Sequence, residues 1–160
     1  MGKYSRSDLI KNLEMHVSMI PDVDFLGQTD DGNKVLKMDI GGIDMALGVM
    51  EHQEGITVFG FVPGLEVTDD KKPKIREYLM ELNNKTLRGH FTVMDSSIIY
   101  KHFITLTDGE KMRMDHFIYE LTLPSKMMKY NLEEICDILE SSNPKKEDED
   151  HNLCKFTGYM

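Results

Sequence analysis

Hydrophobic residues recur along this chain with two different spacings, which mark its helices and strands. From Ser5 to Met19 the apolar positions repeat at helical spacing, which predicts an amphipathic helix that Pro21 ends. From Lys34 to Met50 apolar and polar residues alternate around Gly41-Gly42, which predicts two strands joined by a tight turn. One face of this hairpin is apolar and the other is polar or small, as in an antiparallel sheet that helices cover on one side.

The same two spacings predict the remaining elements. Asp69 or Asp70 is expected to cap the central helix, with Pro73 in its first turn, and Asn131 is expected to cap the last helix. The predicted strands outside the Gly-Gly hairpin are Phe25–Gln28, Ile56–Val62, His90–Met94 and Ile98–Leu106, and the predicted helices after the first are Lys74–Asn83 and Leu132–Ser141.

The segment 110–124 fits two patterns. Phe117 and Leu121 would share the apolar face of either a helix or a strand, and Pro124 would end the element in both cases. A helix is preferred, and an extra strand remains the alternative.

Charge and composition narrow the classes of partner. The chain has 160 residues, with 28 acidic and 19 basic side chains and a formal net charge of −9. A surface of that sign repels phosphate backbones, so no nucleic-acid partner is expected. The sequence has no apolar run long enough to span a bilayer, so no membrane association is expected either.

The chain has two cysteines, Cys136 and Cys154, and their spacing is informative about the redox state of the cellular compartment. Their spacing matches neither a metal site nor a disulfide framework. Since the sequence also shows no signal-peptide pattern and no 18-residue apolar run, the chain is expected to be cytoplasmic and reduced, with Cys136 as a small buried side chain.

The C-terminal residues differ in character from the rest. Residues 1–142 are predicted to form a single domain, whereas 143–160 combine an acidic linker with a short apolar tail that contains Phe156 and Tyr159. The linker is expected to be disordered. The tail either frays or docks on a groove.

Candidate catalytic and metal-binding groups are sparse. His90 and His102 fall on the two strands of one predicted hairpin, but no third ligand accompanies them, so no metal and no cofactor are expected. No nucleophile–base motif and no phosphate-binding loop occurs in the sequence. The chain is therefore not expected to be an enzyme.

The stretch 74–106 resembles a known family. A helix followed by Leu-Asn, a Gly-x-Phe strand, a tight turn and a second β-rich strand is similar to the YbjN family of bacterial sensory-transduction regulators, whose fold is similar to that of type III secretion chaperones. The resemblance implies an α+β fold of order α-β-β-β-α-β-β-α, and a protein without catalytic residues that pairs with itself or with protein segments. The residues that carry it are Leu82, Asn83, Gly89, Phe91, Val93, Ile99, Tyr100, Ile104 and Leu106.

Fold and resemblance together predict a non-enzymatic cytosolic adaptor or chaperone-like protein. It would bind a regulated or secreted polypeptide segment at an exposed strand edge or in a groove between sheet and helix, and it would form a homodimer. The alternative is a small-ligand-binding domain or an enzyme, which would need a pocket with converging polar groups. The residues expected to contact a partner are Phe59, Phe61, Tyr100, Phe103 and Phe117 in the domain and Phe156 and Tyr159 in the tail.

Overall fold

The computed structural model describes residues 2–40 and 42–141, which form the α+β fold that the sequence predicts. The helices are α1 (Arg6–Lys11), α2 (Leu13–Val17), α3 (Lys72–Lys85), α4 (Met114–Leu121) and α5 (Leu123–Glu140). The strands are β1 (Lys3–Tyr4), β2 (Val23–Gln28), β3 (Lys34–Ile40), β4 (Ile43–Glu51), β5 (Gly55–Phe61), β6 (His90–Met94), β7 (Ser97–Thr105) and β8 (Met112–Arg113).

Six of the strands form one antiparallel sheet in the order β2-β3-β4-β5-β7-β6, and β1 pairs separately with β8. The predicted Gly-Gly hairpin is confirmed, since β3 pairs with β4 and Ile40 lies opposite Ile43. Gly42 has a positive φ of 87° and donates its N–H to Asp39 Oδ1 at 2.8 Å, which closes the turn.

The core lies on one face of this sheet because alternate strand residues point to the same side. Leu47 and Val49 of β4 are fully buried, and Val49 lies opposite Val58, which in turn lies opposite His102 of β7. Helices α1, α2 and α4 pack on one half of this face, and α3 and α5 pack on the other half. We call the opposite side, where the side chains are half-buried or exposed, the open face.

The C-terminal helices confirm one sequence prediction and correct two others. The segment 110–124 is helical at α4, as preferred, with only Met112–Arg113 as a strand. Pro124 does not end an element, because it lies in the first turn of α5, where its missing N–H breaks no helical hydrogen bond. Asn131 does not cap a new helix, since α5 passes through it and its side chain donates to the Met127 carbonyl at 2.9 Å.

The first helix also differs from the prediction. Ser5 caps α1, since its hydroxyl accepts the N–H of Asp8 at 3.3 Å. The predicted helix over Ser5–Met19 is divided at Asn12, however, into α1 and α2. The side-chain amide of Asn12 donates to the Asp8 carbonyl at 2.9 Å, a local contact of the kind that interrupts helices.

The start of α3 is a further correction. Its N-cap residue is Lys71, not Asp69 or Asp70, and no side chain caps it. Lys71 is buried and donates its ammonium group to the Leu139 carbonyl at 2.7 Å, which satisfies the C-terminal end of α5. This contact between distant segments fixes the N-terminus of α3, whereas Pro73 lies in the first turn as predicted.

The order of elements differs from the one that the family resemblance implies. Four strands lie between the first helices and α3, as the residue pattern predicts, and two helices follow β7 within the described residues, where the resemblance implies three strands and one helix. None of the helices that the described residues form is long and apolar enough to cross a bilayer. The predicted linker and tail at 143–160 lie outside the described residues.

Cys136 is buried in the core, as predicted. It is disulfide-bonded rather than a free thiol, which differs from the reduced chain that the sequence predicts. Sequence spacing does not decide such pairing, because residues distant in the chain are brought together only by the fold.

Candidate functional site

The candidate site is a notch at the edge of the sheet, where β7 is longer than its neighbour β6. The two strands pair from Met94 opposite Ser97 to His90 opposite Lys101. Beyond Lys101, no other strand of residues 2–40 and 42–141 pairs with this side of β7. The last residues of β7 therefore form a free strand edge.

The backbone direction shows which groups this free edge presents. The N–H of Leu106 donates to the Glu54 carbonyl at 2.9 Å, so the backbone groups of Leu106 point toward the β5 side. Directions alternate along a strand, so those of Phe103 and Thr105 point the other way, into the notch. The free edge thus offers the N–H and C=O groups of two residues for further pairing.

Gly89 creates the notch by turning the chain away from β7. It has a φ of +67°, in the left-handed region that glycine adopts without strain. A Cβ at this position would collide with the Lys101 carbonyl oxygen and the Tyr100 hydroxyl. The same hydroxyl donates a hydrogen bond to the Arg88 carbonyl, which fixes the turn from the core side.

A buried carboxylate forms the inner wall of the notch. Glu120 lies on α4 with its side chain 7% exposed, and its Oε2 accepts a charge-assisted hydrogen bond from Arg88. His102 Nε2 lies 2.8 Å from the same oxygen, and His116 Nε2 lies 3.4 Å from Oε1. Since a ring nitrogen that faces a carboxylate oxygen donates, the Nε2 of His102 carries the proton.

Strand register and helix periodicity together position this cluster. His102 lies between Tyr100 and Ile104 on the side of β7 that the helices cover, so it is buried. Phe117 and Leu121 hold α4 on the core, and Glu120 lies beside them on the helix surface that faces β7. His116 precedes Glu120 by one turn and is mostly exposed.

The charged form of Glu120 is favoured in the fold. Burial by itself would raise the pKa of this carboxyl, but the hydrogen bonds from Arg88 and His102 and their charges lower it below its ordinary value. The hydrogen bond to Glu120 in turn raises the pKa of Arg88. The carboxylate and the guanidinium therefore remain an ion pair at neutral pH.

Replacing Glu120 by glutamine should lower the free energy of unfolding at neutral pH by about 1–3 kcal/mol, because Arg88 and His102 lose a charged acceptor. A carboxyl whose pKa is depressed in the fold contributes stability above its unfolded pKa and loses it as the pH falls through the folded value. The difference between wild type and Glu120→Gln should therefore shrink below about pH 4.3.

Urea unfolding across this pH range measures that difference, and Glu133→Gln, on the exposed side of α5, is the matched control. A gap between wild type and Glu120→Gln that stayed constant down to the lowest pH would contradict a stabilising charge on Glu120.

The notch has the size of a binding site. Its volume is about 700 Å³, within the range of roughly 300–1,000 Å³ that ligand pockets occupy. Most of the ionisable side chains on its wall are basic or imidazole groups, and Glu120 is the one acidic residue among the described lining residues. The lining side chains that can carry positive charge are Arg88, His90, Lys101, His102 and His116.

The residues that the sequence predicts for partner contact are distributed between three environments. Phe59, Phe61 and Phe103 are at alternate strand positions on the open face, and Phe103 also lines the notch with 44% of its surface exposed. Tyr100 and Phe117 are fully buried, so they shape the core and are not exposed to a partner. Phe156 and Tyr159 lie outside the described residues.

The two histidines of the predicted hairpin point to opposite faces of the sheet. His90 lies opposite Lys101 and faces the open side, whereas His102 is buried under α4. Within the part of the chain that the structure describes, no group of three or more ligating side chains is arranged for a metal ion. His102 instead pairs with Glu120.

Sequence reasoning missed Arg88 and Glu120. One signal for Glu120 was available, since it falls within the apolar stripe of α4, between Phe117 and Leu121. Alternation along β7 likewise places His102 on the buried side, where a polar ring needs a partner. Arg88 follows an irregular segment and carries no such signal.

No protein-family model matches this chain. A comparison with curated proteins finds no significant match.

Proposed function

We propose that this protein is a non-enzymatic adaptor or chaperone-like protein that binds an extended segment of another polypeptide along the free edge of β7. The observation that supports the proposal is the overhang of β7 beyond β6, where the backbone groups of Phe103 and Thr105 point into the notch. A segment that adds to such an edge gains main-chain hydrogen bonds that depend little on its sequence.

The surroundings of the free edge favour an extended polypeptide segment as the partner over the surface of a folded domain. α4 borders the notch on the helix side, and Phe103 borders it on the open face, so an added strand would have a wall on each side. Leu87, at the mouth, is 99% exposed and can pack on an apolar side chain of the segment. Side chains of an extended segment alternate between these two walls, which would give specificity.

The direct test uses a synthetic array of short random peptides, from which binders are chosen and then N-methylated at one backbone position at a time. Methylation of an amide that faces β7 should weaken binding at least about tenfold, and methylation of the next amide should not, because only alternate N–H groups pair.

Hydrogen exchange on the complex gives an independent readout, since the amides of Phe103 and Thr105 should gain protection. Peptide binding without an alternating N-methyl pattern and without this protection would show that the edge is not the binding surface.

A small-ligand-binding domain is the second candidate, because polar groups converge on a notch of ligand size. The two candidate functions differ in whether the ligand forms hydrogen bonds with the backbone of Phe103 and Thr105. A small anion would contact Arg88 and leave the exchange of these two strand amides unchanged.

The homodimer that the family resemblance implies stays a prediction. Sedimentation equilibrium of the full chain measures it, and a monomer at all concentrations would exclude it.

A further inference from the structure

The direction of β6 determines which end of an added segment would meet Arg88. β6 runs antiparallel to β7, with His90 at its start opposite Lys101. A segment that occupies the notch in the same orientation continues the line of β6, so its C-terminal end lies next to His90. There the chain leaves the sheet at Gly89, and Leu87, Arg88 and Gly89 line that end of the notch.

The positive charges lie at this same end. Arg88 uses only its Nη2 group to donate to Glu120, and the same Nη2 lies 3.3 Å from His102 Nε2, which itself donates to Glu120. Its Nε–H and Nη1–H groups have no hydrogen-bond partner among the described residues, and its side chain is 47% exposed. These two groups lie on different edges of the planar guanidinium, so each can donate a charge-assisted hydrogen bond to a carboxylate oxygen.

Lys101 and His90 add to this charge. Neither the Lys101 ammonium nor the His90 ring has a hydrogen-bond or ion-pair partner within the described residues, and both side chains line the notch. Glu120, the one acid among the described residues that line the notch, is already occupied by Arg88 and His102. In a chain of net charge −9, this end of the notch is therefore a local site for an anion.

We propose that the segment bound at β7 is the C-terminal end of a partner polypeptide, and that Arg88 binds its terminal carboxylate with help from Lys101 and His90. This inference rests on the proposed function. A segment in the opposite direction would place an ammonium group among these cations, which is unfavourable. A chain that continued past the terminal residue would meet the turn at Gly89, so an internal sequence fits poorly.

The experiment compares each peptide selected on the array in two forms, with a free C-terminal carboxylate and with a C-terminal amide. The free acid should bind wild-type protein about 10- to 100-fold more tightly, as expected for loss of one or two hydrogen bonds to a charged group. In Arg88→Gln this difference should fall to about threefold or less, whereas Arg88→Lys should retain part of it.

Arg113→Gln is the matched control, because Arg113 is similarly exposed and also pairs with one carboxylate, Asp115, but does not line the notch. It should keep the full preference for the free acid. The comparison of acid and amide on wild-type protein needs no variant, so the proposal stays testable even if Arg88→Gln folds poorly.

The outcomes separate the two proposals. Equal binding of acid and amide, with the alternating N-methyl pattern intact, would overturn carboxylate recognition and leave the strand-binding function standing. An amide peptide that ends in aspartate or glutamate and binds as tightly as the free acid would show that the site recognises an acidic side chain instead, which also overturns the inference. Failure of all peptides to bind would count against the proposed function itself.

Discussion

Replacing Gly89 by alanine is expected to lower the free energy of unfolding by about 3–4 kcal/mol, because two unfavourable effects act together. The residue has a φ of +67°, a conformation that is strained for an L-amino acid by roughly 1–2 kcal/mol. In addition, the new methyl group would overlap the Lys101 carbonyl oxygen and the Tyr100 hydroxyl. The carbonyl belongs to the backbone of β7 and cannot move without breaking strand pairing.

Gly109→Ala is a matched control for this prediction. Gly109 has a similar φ of +87°, but no atom lies within 4 Å of the position that its Cβ would take. It should therefore show the backbone strain alone, at about 1–2 kcal/mol. Chemical denaturation of both variants separates the two effects, and equal losses would show that the collision at Gly89 is relieved by a small shift.

Gly89→Ala should also distort the geometry of the notch at a point where the protein is still folded. Arg88 is held in place by the turn and by the hydrogen bond from the Tyr100 hydroxyl to its carbonyl. If the methyl group displaces this turn, Arg88 moves away from Glu120 and from the end of the free edge. Peptide binding should then be lost under conditions where the variant is still folded.

Truncating Phe117 to alanine is expected to have the largest effect, about 3–5 kcal/mol, since the ring is fully buried beneath α4. Phe117 lies in the same cluster as Val58 and Ile104, and it holds α4 on the sheet beside β7. Its loss leaves a cavity under the helix that carries Glu120. The variant should therefore have a lower free energy of unfolding, and the carboxylate of Glu120 should be displaced from its native position.

Tyr119→Ala on the same helix is the control. Tyr119 is 57% exposed, and its ring lies 4.7 Å from the Lys126 ammonium. Because an exposed cation–π contact contributes about 0.5–1 kcal/mol, this variant should lose about 1 kcal/mol or less. Urea unfolding of the two variants distinguishes a core anchor from a surface aromatic. Similar losses would mean that α4 is not held by Phe117.

The strands were predictable because their pattern is local. His90–Met94 is predicted with its observed bounds, and the predicted Ile98–Leu106 differs from β7 by one residue at each end. The overhang of β7 beyond β6 follows from the lengths of the two strands, because the five residues of β6 cannot pair with all nine residues of β7. Sequence reasoning named an exposed strand edge as a binding route, but it did not identify this edge.

The helical segments were less predictable because distant contacts determine where they begin and end. Pro124 and Asn131 are boundary signals in isolation, yet α5 contains both. Lys71 takes the N-cap position of α3 while its side chain binds the end of α5, a contact between residues 68 positions apart. Local propensity contributes less free energy than such packing and capping contacts, so tertiary structure overrides it.

The alternation of apolar residues by itself determined the fold class and the side of each strand that is buried, including the burial of His102. Only the tertiary structure decided that Glu120 and Arg88 meet this histidine at the end of a free strand edge. The three residues lie on a helix, an irregular turn and a strand, and the sequence separation of Arg88 and Glu120 is 32 residues. Periodicity fixes the direction of a side chain relative to its own element, whereas its neighbours depend on how the elements pack against one another.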